Sequence, residues 1–561
     1  MQRAHTYAFA GAWGVYLWVQ IGAALAQDQP RVIDRPSERP LETPGYLPEG
    51  DEKPFELPPV YRPSGVPKSE PSGPELQVRD YVFEGNKVLP TDVLKQIAEP
   101  YSKRTLRQSE LEELRQKLSR AYADRGYINS GALLPTDFYR DGIVTFRIVE
   151  GRSEELRATG LKGLREEYLR QRLLPDAKPL NANLLQERCQ LLLTDPLFEK
   201  VNARLQPGSE PGQAILDVDV VRARPWDLSL YANNYRPPSI GAEALGVTGT
   251  VRNSTNAGDT LSASLEYGRD LRATRYSVDW SAPVVYRTDL NVRYQHGDSA
   301  VIEEPLSVLD IKSVLNSFEM GLSHALLDTL AHRVSVGASY THRSNSTALL
   351  DQPFSFVLGE PTGKSIVNAW RFEQDWLNRG EAHTLAARST LTWGHTNTVV
   401  SNNPEVPPQH YFVWIAQGKL GARVLQNGTS VFLRGTYQWT DDRLVPLEQF
   451  SLGGVSSVRG YSENRFVRDL GYSGSIEVRY PLVNRAAQQI RLTLVPFFDF
   501  GEAWNKDQQR QRLRSVGLGL TWQLRRLFGE VYYGSQLVNI GPKPNGNLQH
   551  GGFHFQAQYV F

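Results

Sequence analysis

The chain has 561 residues, with 62 Lys and Arg against 61 Asp and Glu, and its mean hydropathy is −0.42. These values exclude a bundle of apolar membrane-spanning helices. The net charge of +1 provides no basic field for a nucleic acid, and the single cysteine, Cys189, excludes a disulfide framework. A transmembrane β-barrel is not excluded, because its strands alternate apolar and polar residues and can have the mean hydropathy of a soluble protein.

Residues 1–26 have the features of a secretory signal peptide. A weakly basic start is followed by uncharged residues from Thr6 to Gln27, and Ala24-Leu25-Ala26 matches the small-x-small cleavage pattern. A permanent anchor helix is the alternative, but no second basic flank follows it. We therefore predict cleavage before Gln27 and a mature chain outside the cytoplasm.

Residues 27–74 are predicted to form a Pro-rich periplasmic linker. Between Asp28 and Pro74 there are 12 prolines in 47 residues. Proline lacks a backbone N–H and interrupts the hydrogen bonds of a helix. We therefore expect an extended, mobile chain in this segment.

Residues 75–150 and 151–225 each show the element order β-α-α-β-β, which predicts two small α+β domains. In the first, a strand over 76–83 precedes a helix for which Ser109 and Glu112 match a capping box. Each unit is large enough to bury a helix pair against a three-stranded sheet. An edge of such a sheet can bind an extended peptide as an added strand, although an edge that serves only as scaffold fits the sequence equally well.

Residues 226–561 have an apolar period of two, which predicts a 16-stranded antiparallel transmembrane β-barrel. The alternating runs begin near residues 227, 243, 260, 274, 288, 314, 332, 365, 383, 411, 429, 472, 490, 514, 528 and 552. Gaps after even-numbered runs are short, and most gaps after odd-numbered runs are long. This sorting is typical of tight periplasmic turns and longer outer loops, and a soluble sandwich has no reason to show it.

The last run places aromatic side chains on one face of a strand. Phe553, Phe555, Tyr559 and Phe561 share this face, and the sequence ends on the last of them. This pattern resembles the terminal insertion signal of bacterial outer-membrane barrels. We therefore predict that Tyr559 and Phe561 belong to such a signal.

Two short motifs carry a family resemblance. Residues 453–461, in the longest gap, 441–471, read GGVSSVRGY, and residues 497–501 read FFDFG. The first resembles the V-R-G-Y tip of the inward sixth loop, and the second the F-x-D-x-G motif of strand thirteen, in the outer-membrane assembly and two-partner secretion superfamily. Together with two preceding units that resemble POTRA domains, residues 75–561 resemble a two-partner secretion translocator of the ShlB/FhaC/HecB type.

The resemblance implies a functional loop tip inside the barrel. Loop 441–471 would fold inward and present four motif residues: Val458, Arg459, Gly460 and Tyr461. A glycine at position 460 would permit a close turn at this tip.

Strand alternation turns a second set of residues toward the lumen: Glu477, Phe497, Asp499 and Gly501. The resemblance implies that Arg459 bridges Asp499 and Glu477, and a bidentate contact between arginine and a carboxylate would hold the loop in place. Without the two motifs, Arg459 would be interpreted as one of many charges that line a water-filled barrel.

The resemblance implies a translocator in the bacterial outer membrane, with its POTRA domains in the periplasm. It would bind an unfolded exoprotein, a TpsA-like adhesin or haemolysin, and export it through the lumen to the cell surface without ATP. Relatives place an N-terminal plug helix in the lumen, but the prolines of residues 27–74 argue against such a helix here. The alternatives are an outer-membrane protein assembly factor and a diffusion porin, and a porin needs no periplasmic units.

No motif in the chain points to covalent chemistry. Residues 359–365 have three spacer residues where a phosphate-binding loop has four, and no hydrolase elbow or metal-ligand spacing occurs. We therefore expect no enzyme activity, no cofactor, no metal and no nucleic-acid partner. The expected partners are the exoprotein, outer-membrane lipid and, during biogenesis, the barrel assembly machinery and periplasmic chaperones.

Overall fold

The computed structural model describes residues 35–41, 75–176, 178–268, 273–541 and 546–561. The predicted signal peptide and most of the predicted linker lie outside these residues. None of the described helices is both long enough and apolar enough to cross a membrane.

The first α+β domain builds its core from one face of a long helix. Its elements are β1 Glu75–Val78, β2 Asp80–Glu84, α1 Thr91–Ala98, β3 Arg104–Arg107, α2 Gln108–Ala123, β4 Gly131–Leu133, β5 Tyr139–Arg140 and β6 Ile143–Val149. Strand β6 lies between β2, its parallel neighbour, and β4, while β1 pairs with β3 in a separate sheet. Leu111, Leu114 and Leu118 of α2 are fully buried in this core because they recur at helical spacing.

Two local predictions for this domain are wrong. The strand predicted over 76–83 is two strands, β1 and β2, that belong to different sheets. Helix α2 begins directly after β3, so Glu110, and not Glu112, accepts a hydrogen bond of 2.8 Å from the backbone N–H of Arg107. The carboxylate of Glu112 instead accepts a hydrogen bond from the Nε of Arg115.

The second α+β domain has the predicted order β-α-α-β-β. Its elements are β7 Arg152–Thr159, α3 Glu166–Leu173, α4 Ala182–Leu192, β8 Phe198–Pro207 and β9 Gln213–Arg222. Strand β9 lies between β7 and β8, and Asn181 caps α4 by accepting hydrogen bonds from the backbone N–H groups of Asn183 and Leu184. The Cys189 side chain is fully buried between the helices and the sheet.

Sixteen antiparallel strands close a barrel over the rest of the described chain. The strands from this point on are β10 Trp226–Asn233, β11 Ala244–Arg252, β12 Thr260–Gly268, β13 Thr274–Val285, β14 Thr288–Ala300, β15 Lys312–Asp328, β16 His332–Leu349, β17 Gln352–Pro353, β18 Lys364–Arg379, β19 His383–Thr396, β20 His410–Arg423, β21 Ser430–Trp439, β22 Phe450–Leu452, β23 Phe466–Arg468, β24 Leu470–Arg485, β25 Ile490–Trp504, β26 Gln511–Leu524, β27 Leu527–Gln536 and β28 Phe553–Val560. The two-residue β17 only extends the hairpin at β16, and β22 and β23 lie within loop 441–471.

The predicted barrel is confirmed strand by strand. The largest offset of a strand start is at β26, which begins at Gln511 where the sequence pattern indicated 514. Alternation is visible on β18, where Trp370 and Trp376 are exposed on the outer face and Ala369 and Arg371 are buried inside. Strands β10 and β28 close the barrel through five residue pairs.

The buried thiol of Cys189 gives a test of the second domain. Burial raises the pKa of this thiol to about 12, so the reactive thiolate is about 1000-fold scarcer than at an unperturbed cysteine. We expect maleimide labelling of the folded chain at pH 7.5 to be slower by about this factor than labelling in urea. Labelling of the folded chain at the rate of a free thiol would contradict the described packing of α3 and α4.

Candidate functional site

Loop 441–471 lies inside the barrel as a folded unit. Within it, β22 pairs with β23, and the hairpin buries Val458 and Tyr461 against Leu513 of the barrel wall. Gly501 of β25 allows this close approach, because a Cβ atom there would lie 2.6 Å from the Cδ1 of Leu452. The loop therefore has an apolar contact with the wall as well as polar ones.

Arg459 lies at the tip of the loop and is 1% exposed. Its Nε donates to Oδ2 of Asp499 at 2.8 Å, its Nη2 to Oδ1 at 2.8 Å, and its Nη1 lies 2.8 Å from Oε1 of Glu477. The backbone N–H of Arg459 also donates to Asp499 at 3.0 Å. The structure thus brings together the arginine and the two acids that the sequence pattern turned inward.

Further side chains fix the plane of the Arg459 guanidinium. Its Cζ lies 3.7 Å from the centroid of the Phe497 ring and 4.7 Å from that of Tyr532, so aromatic faces cover the cation. The Ser475 hydroxyl donates to Asp499 at 2.6 Å and accepts from Arg459 at 2.9 Å. A planar cation with five N–H donors suits this enclosure, and lysine could not reproduce it.

Gly460 and Tyr461 attach the tip to the last strands of the barrel. Gly460 has φ of +91°, and a Cβ atom there would lie 2.6 Å from the carbonyl oxygen of Gly534. Its N–H donates to Nε2 of His554 on β28 at 3.2 Å. The Tyr461 hydroxyl lies 2.9 Å from the carbonyl oxygens of both Arg514 and Val538.

The sequence interpretation missed several residues that complete this site: Ser475, Tyr532, Gly534 and His554. Each lies at a lumenal position of its strand, so alternation already indicated an inward-facing residue. No local signal pointed to the loop tip as their partner, because the contacts connect residues far apart in the chain.

The base of the loop has a second ionic anchor that sequence reasoning also missed. The Nη2 of Arg371, on β18, donates to both carboxylate oxygens of Glu448, at 2.7 and 2.9 Å. Arg343 of β16 donates to the carbonyl oxygen of Leu447 at 3.0 Å. Gln438 joins the two arms of the loop, since its amide donates to the carbonyl oxygens of Glu448 and Asp469, each at 3.0 Å.

A segment near the N-terminus also lies in the lumen. Residues 35–41 contain a short 3₁₀ turn, Pro36–Glu38, and Arg39 forms ion pairs with Glu319 and Glu373 of the wall. The Gln417 amide donates to the carbonyl oxygen of Arg39 at 2.9 Å. The prediction of an extended periplasmic linker is therefore wrong for these seven residues. Prolines prevent a regular helix here, but charged and amide side chains of the barrel wall bind the segment inside the lumen.

The loop, the N-terminal segment and the wall enclose a cavity of about 410 Å³. Its lining includes Arg39, Arg459, Glu477, Arg479 and Glu530, so charges of both signs face it. The lumen thus contains two inserted segments and, beside them, a cavity with charged side chains in its lining.

Tyr559 and Phe561 lie on the outer face at the closing strand. The two residues are 42% and 39% exposed, and their ring centroids lie 5.0 Å apart. The backbone N–H of Phe561 donates to the carbonyl oxygen of Leu228 at 2.9 Å. The last residues therefore contribute to the closure of the barrel.

Comparisons with known proteins agree with this architecture. A family model described as haemolysin secretion/activation protein ShlB/FhaC/HecB matches residues 212–522, and a model of the ShlB-type POTRA domain matches residues 76–151. The chain belongs to the ShlB/FhaC/HecB family. Within this family it is an outer-membrane transporter of two-partner secretion, with its POTRA region in the periplasm. The alternatives of an assembly factor and a porin are not favoured.

Individual relatives are distant but cover most of the chain. The heme/hemopexin transporter protein HuxB of Haemophilus influenzae strain 86-028NP is 23% identical over 471 residues, which is 80% of each chain. The outer membrane transporter CdiB of Escherichia coli is 23% identical over 429 residues, covering 72% of this chain and 68% of CdiB. These ShlB/FhaC/HecB relatives are named as transporters.

Solved structures show the same fold. CdiB from Escherichia coli aligns with a TM-score of 0.69 at 19% identity, over 89% of this chain and 93% of that one. CdiB from Acinetobacter baumannii aligns with a TM-score of 0.61 at 15% identity, over 90% and 95% of the two chains.

The ion pair at the loop tip gives a second test. Removing one partner of a buried pair costs of order 3 kcal/mol, which raises the released fraction of the loop by about 100-fold. In Asp499→Asn we therefore expect trypsin to cleave after Arg459 far faster than in the unmodified protein, as measured by mass spectrometry of the purified barrel. Asp441→Asn is the control, because Asp441 is exposed at the start of the same loop. Equal cleavage in both variants would show that Asp499 does not hold the tip.

Proposed function

We propose that the chain captures an unfolded exoprotein on its first periplasmic domain and passes it through the lumen after loop 441–471 and residues 35–41 have moved. The observation that carries this proposal is the enclosed Arg459, which anchors the loop across the lumen. A transported chain needs the space that the two segments occupy. The ion pairs would therefore have to exist in a held and a released arrangement.

The charges of the lumen support a releasable anchor. A buried ion pair gains Coulomb energy but loses hydration, so its net contribution is small compared with the cost of leaving one partner alone. The adjoining cavity of about 410 Å³ has charged side chains in its lining and can admit water to the charges once they separate. In this proposal Arg459 anchors the loop, Gly460 forms the turn at its tip, and Val458 and Tyr461 contact the wall. The surface that receives the tip is formed by Glu477, Phe497, Asp499 and Gly501.

A groove on the first domain supports capture of an extended segment. It lies between β2 and α1, has a volume of about 450 Å³ and is lined by Asp80, Tyr81, Val93, Lys95 and Gln96, among others. Within the described chain, β2 pairs only with β6, so its other edge is open. An extended peptide can add to such an edge through backbone hydrogen bonds.

Contacts between the second domain and the barrel support a route from this groove to the lumen. Its Arg165 N–H donates to the carbonyl oxygen of Asn256 in a periplasmic turn at 3.2 Å. The N–H of Leu330, in another turn, donates to Glu187 of α4 at 3.2 Å. A segment leaving the first domain would reach the periplasmic mouth of the barrel along this contact.

The proposed partner is a TpsA-like exoprotein, an adhesin or haemolysin. Among the relatives, HuxB is named as a heme/hemopexin transporter and CdiB as an outer membrane transporter. Without a nucleotide motif, the proposed driving force is folding of the exoprotein outside the cell, which prevents its return. We propose no catalytic role for the chain.

The outer face and the closing strand suggest the remaining partners. Exposed aromatic side chains such as Trp370 and Trp376 suit contact with outer-membrane lipid. Tyr559 and Phe561 are proposed as an insertion signal for the barrel assembly machinery, after delivery by periplasmic chaperones.

Charge reversal at Asp499 tests the proposed role of the tip. In Asp499→Arg the surface that receives the tip repels Arg459, and we expect secretion of the exoprotein partner to be lost while insertion of the barrel persists. Insertion is measured by heat-modifiable migration of the outer-membrane fraction, and secretion by the exoprotein in the medium. Asp441→Arg, at the exposed start of the same loop, should secrete normally. Normal secretion by Asp499→Arg would contradict the proposed role.

Photo-crosslinking tests the groove of the first domain. A benzoylphenylalanine at Gln96 faces the groove, and one at Arg120 lies on the exposed side of α2. During export of the tagged exoprotein, we expect a crosslinked product at position 96 at least tenfold stronger than at position 120, because only the groove would contain the segment. Equal yields at both positions would place capture elsewhere.

A further inference from the structure

Six charged side chains form one cluster on the lumenal wall at β15, β16 and β18. They are three arginines and three glutamates: Arg39, Arg343, Arg371, Glu319, Glu373 and Glu448. One arginine and one glutamate of the cluster belong to the inserted segments: Arg39 lies in residues 35–41 and Glu448 in loop 441–471. The cluster is therefore where the two inserted segments meet the same wall.

Glu448 is the most enclosed acid of this cluster, with its side chain 1% exposed. Arg371 binds both of its carboxylate oxygens, and Arg343 lies 3.7 Å from one of them. Removing the carboxylate would leave two buried arginines without their acid. The contact therefore fixes the loop base against β16 and β18.

Arg39 forms ion pairs with the other two acids of the cluster, Glu319 and Glu373. Its Nη1 donates to Oε1 of Glu373 at 3.0 Å, and its Nη2 contacts Oε2 of Glu319. Glu373 follows Arg371 by two residues on β18, so both side chains lie on the same face of one strand. Glu319 is also within electrostatic range of Arg371.

The Arg371 guanidinium has N–H groups that could bind a second acid. Within the described part of the chain, its Nε and Nη1 are buried without a hydrogen-bond partner, and only Nη2 binds Glu448. With Arg39 in place, the three positive and three negative charges balance. Without Arg39, Glu319 and Glu373 would lose the cation that joins them. Arg371 and Arg293 also act electrostatically on Glu319, and of these two Arg371 lies on the same strand and face as Glu373.

We infer that Glu448 is a positioning residue for the inward loop, and that Arg39 secures it by neutralising Glu319 and Glu373 so that Arg371 stays with Glu448. Departure of residues 35–41 then weakens the hold on the loop base, although Arg39 forms no hydrogen bond with the loop. The two segments leave the lumen in a coupled order, with the N-terminal segment first. This consequence for transport rests on the proposed function, whereas the coupling itself does not.

Hydrogen exchange of the full chain in detergent, without exoprotein, tests the coupling. The measured quantity is the exchange rate of the backbone amides in residues 444–448, followed by mass spectrometry. We expect Arg39→Gln to raise this rate by about tenfold, within the usual range of coupling between two sites. Glu448→Gln should raise it at least as much, and combining the two changes should add little.

A rescue variant separates charge competition from simple loss of packing. Adding Glu319→Gln and Glu373→Gln to Arg39→Gln removes the acids that would attract Arg371, so we expect the exchange rate to return to within about twofold of the unmodified protein. Arg35→Gln is the control, because Arg35 donates directly to the carbonyl oxygen of Pro446 and its loss should not be rescued by these changes.

Two results would overturn the inference: an unchanged rate in Arg39→Gln, or a raised rate that the two glutamine substitutions fail to restore. If Glu448→Gln does not insert into membranes, Arg39→Gln and the rescue variant still decide the question, because both retain Glu448. A confirmed rescue together with normal secretion by Arg39→Gln would leave the coupling in place and contradict the proposed route.

Discussion

The bilayer core contains no water to pair with backbone N–H and C=O groups, so every strand that crosses it needs a neighbour on both sides. Pairing of β10 with β28 completes this requirement. A closed sheet in turn directs alternate side chains to lipid and to the lumen, and the lumenal set is free to be polar. Segments inserted into the lumen therefore meet a wall of charges and amides, which determines how they are held.

Three such contacts hold the inserted segments. Arg459 binds Asp499 and Glu477 at the loop tip, Glu448 binds Arg371 at the loop base, and Arg39 binds Glu373 beside it. Each places an ion pair in a partly dehydrated space, where complete pairing is stable and a missing partner is costly. Ionic anchors of this kind suit a transporter, because water that enters the lumen can replace the partner and release the segment without breaking the barrel.

Much of the fold could be predicted from the sequence because its signals are local. The period-two pattern places the side chains of each strand without reference to its neighbours, and loop lengths assign the two ends of the barrel. The prediction failed where the position of a segment depends on residues far from it in the sequence. Strand β1 separates from β2 because it pairs with β3, and residues 35–41 take up a position inside the barrel because Glu319 and Glu373 attract Arg39.

By itself the sequence determined the class of barrel, its sixteen strands, the inward faces of Glu477 and Asp499 and, through two motifs, the family. Only the tertiary structure decided which charged side chains form ion pairs with each other. Arg371 and Glu448 are 77 residues apart, and Arg39 and Glu373 are 334 apart, so no periodicity connects them. Strand alternation is a property of the backbone, whereas an ion pair depends on the distance between two side chains, which exists only after the barrel has closed around the segments inside it.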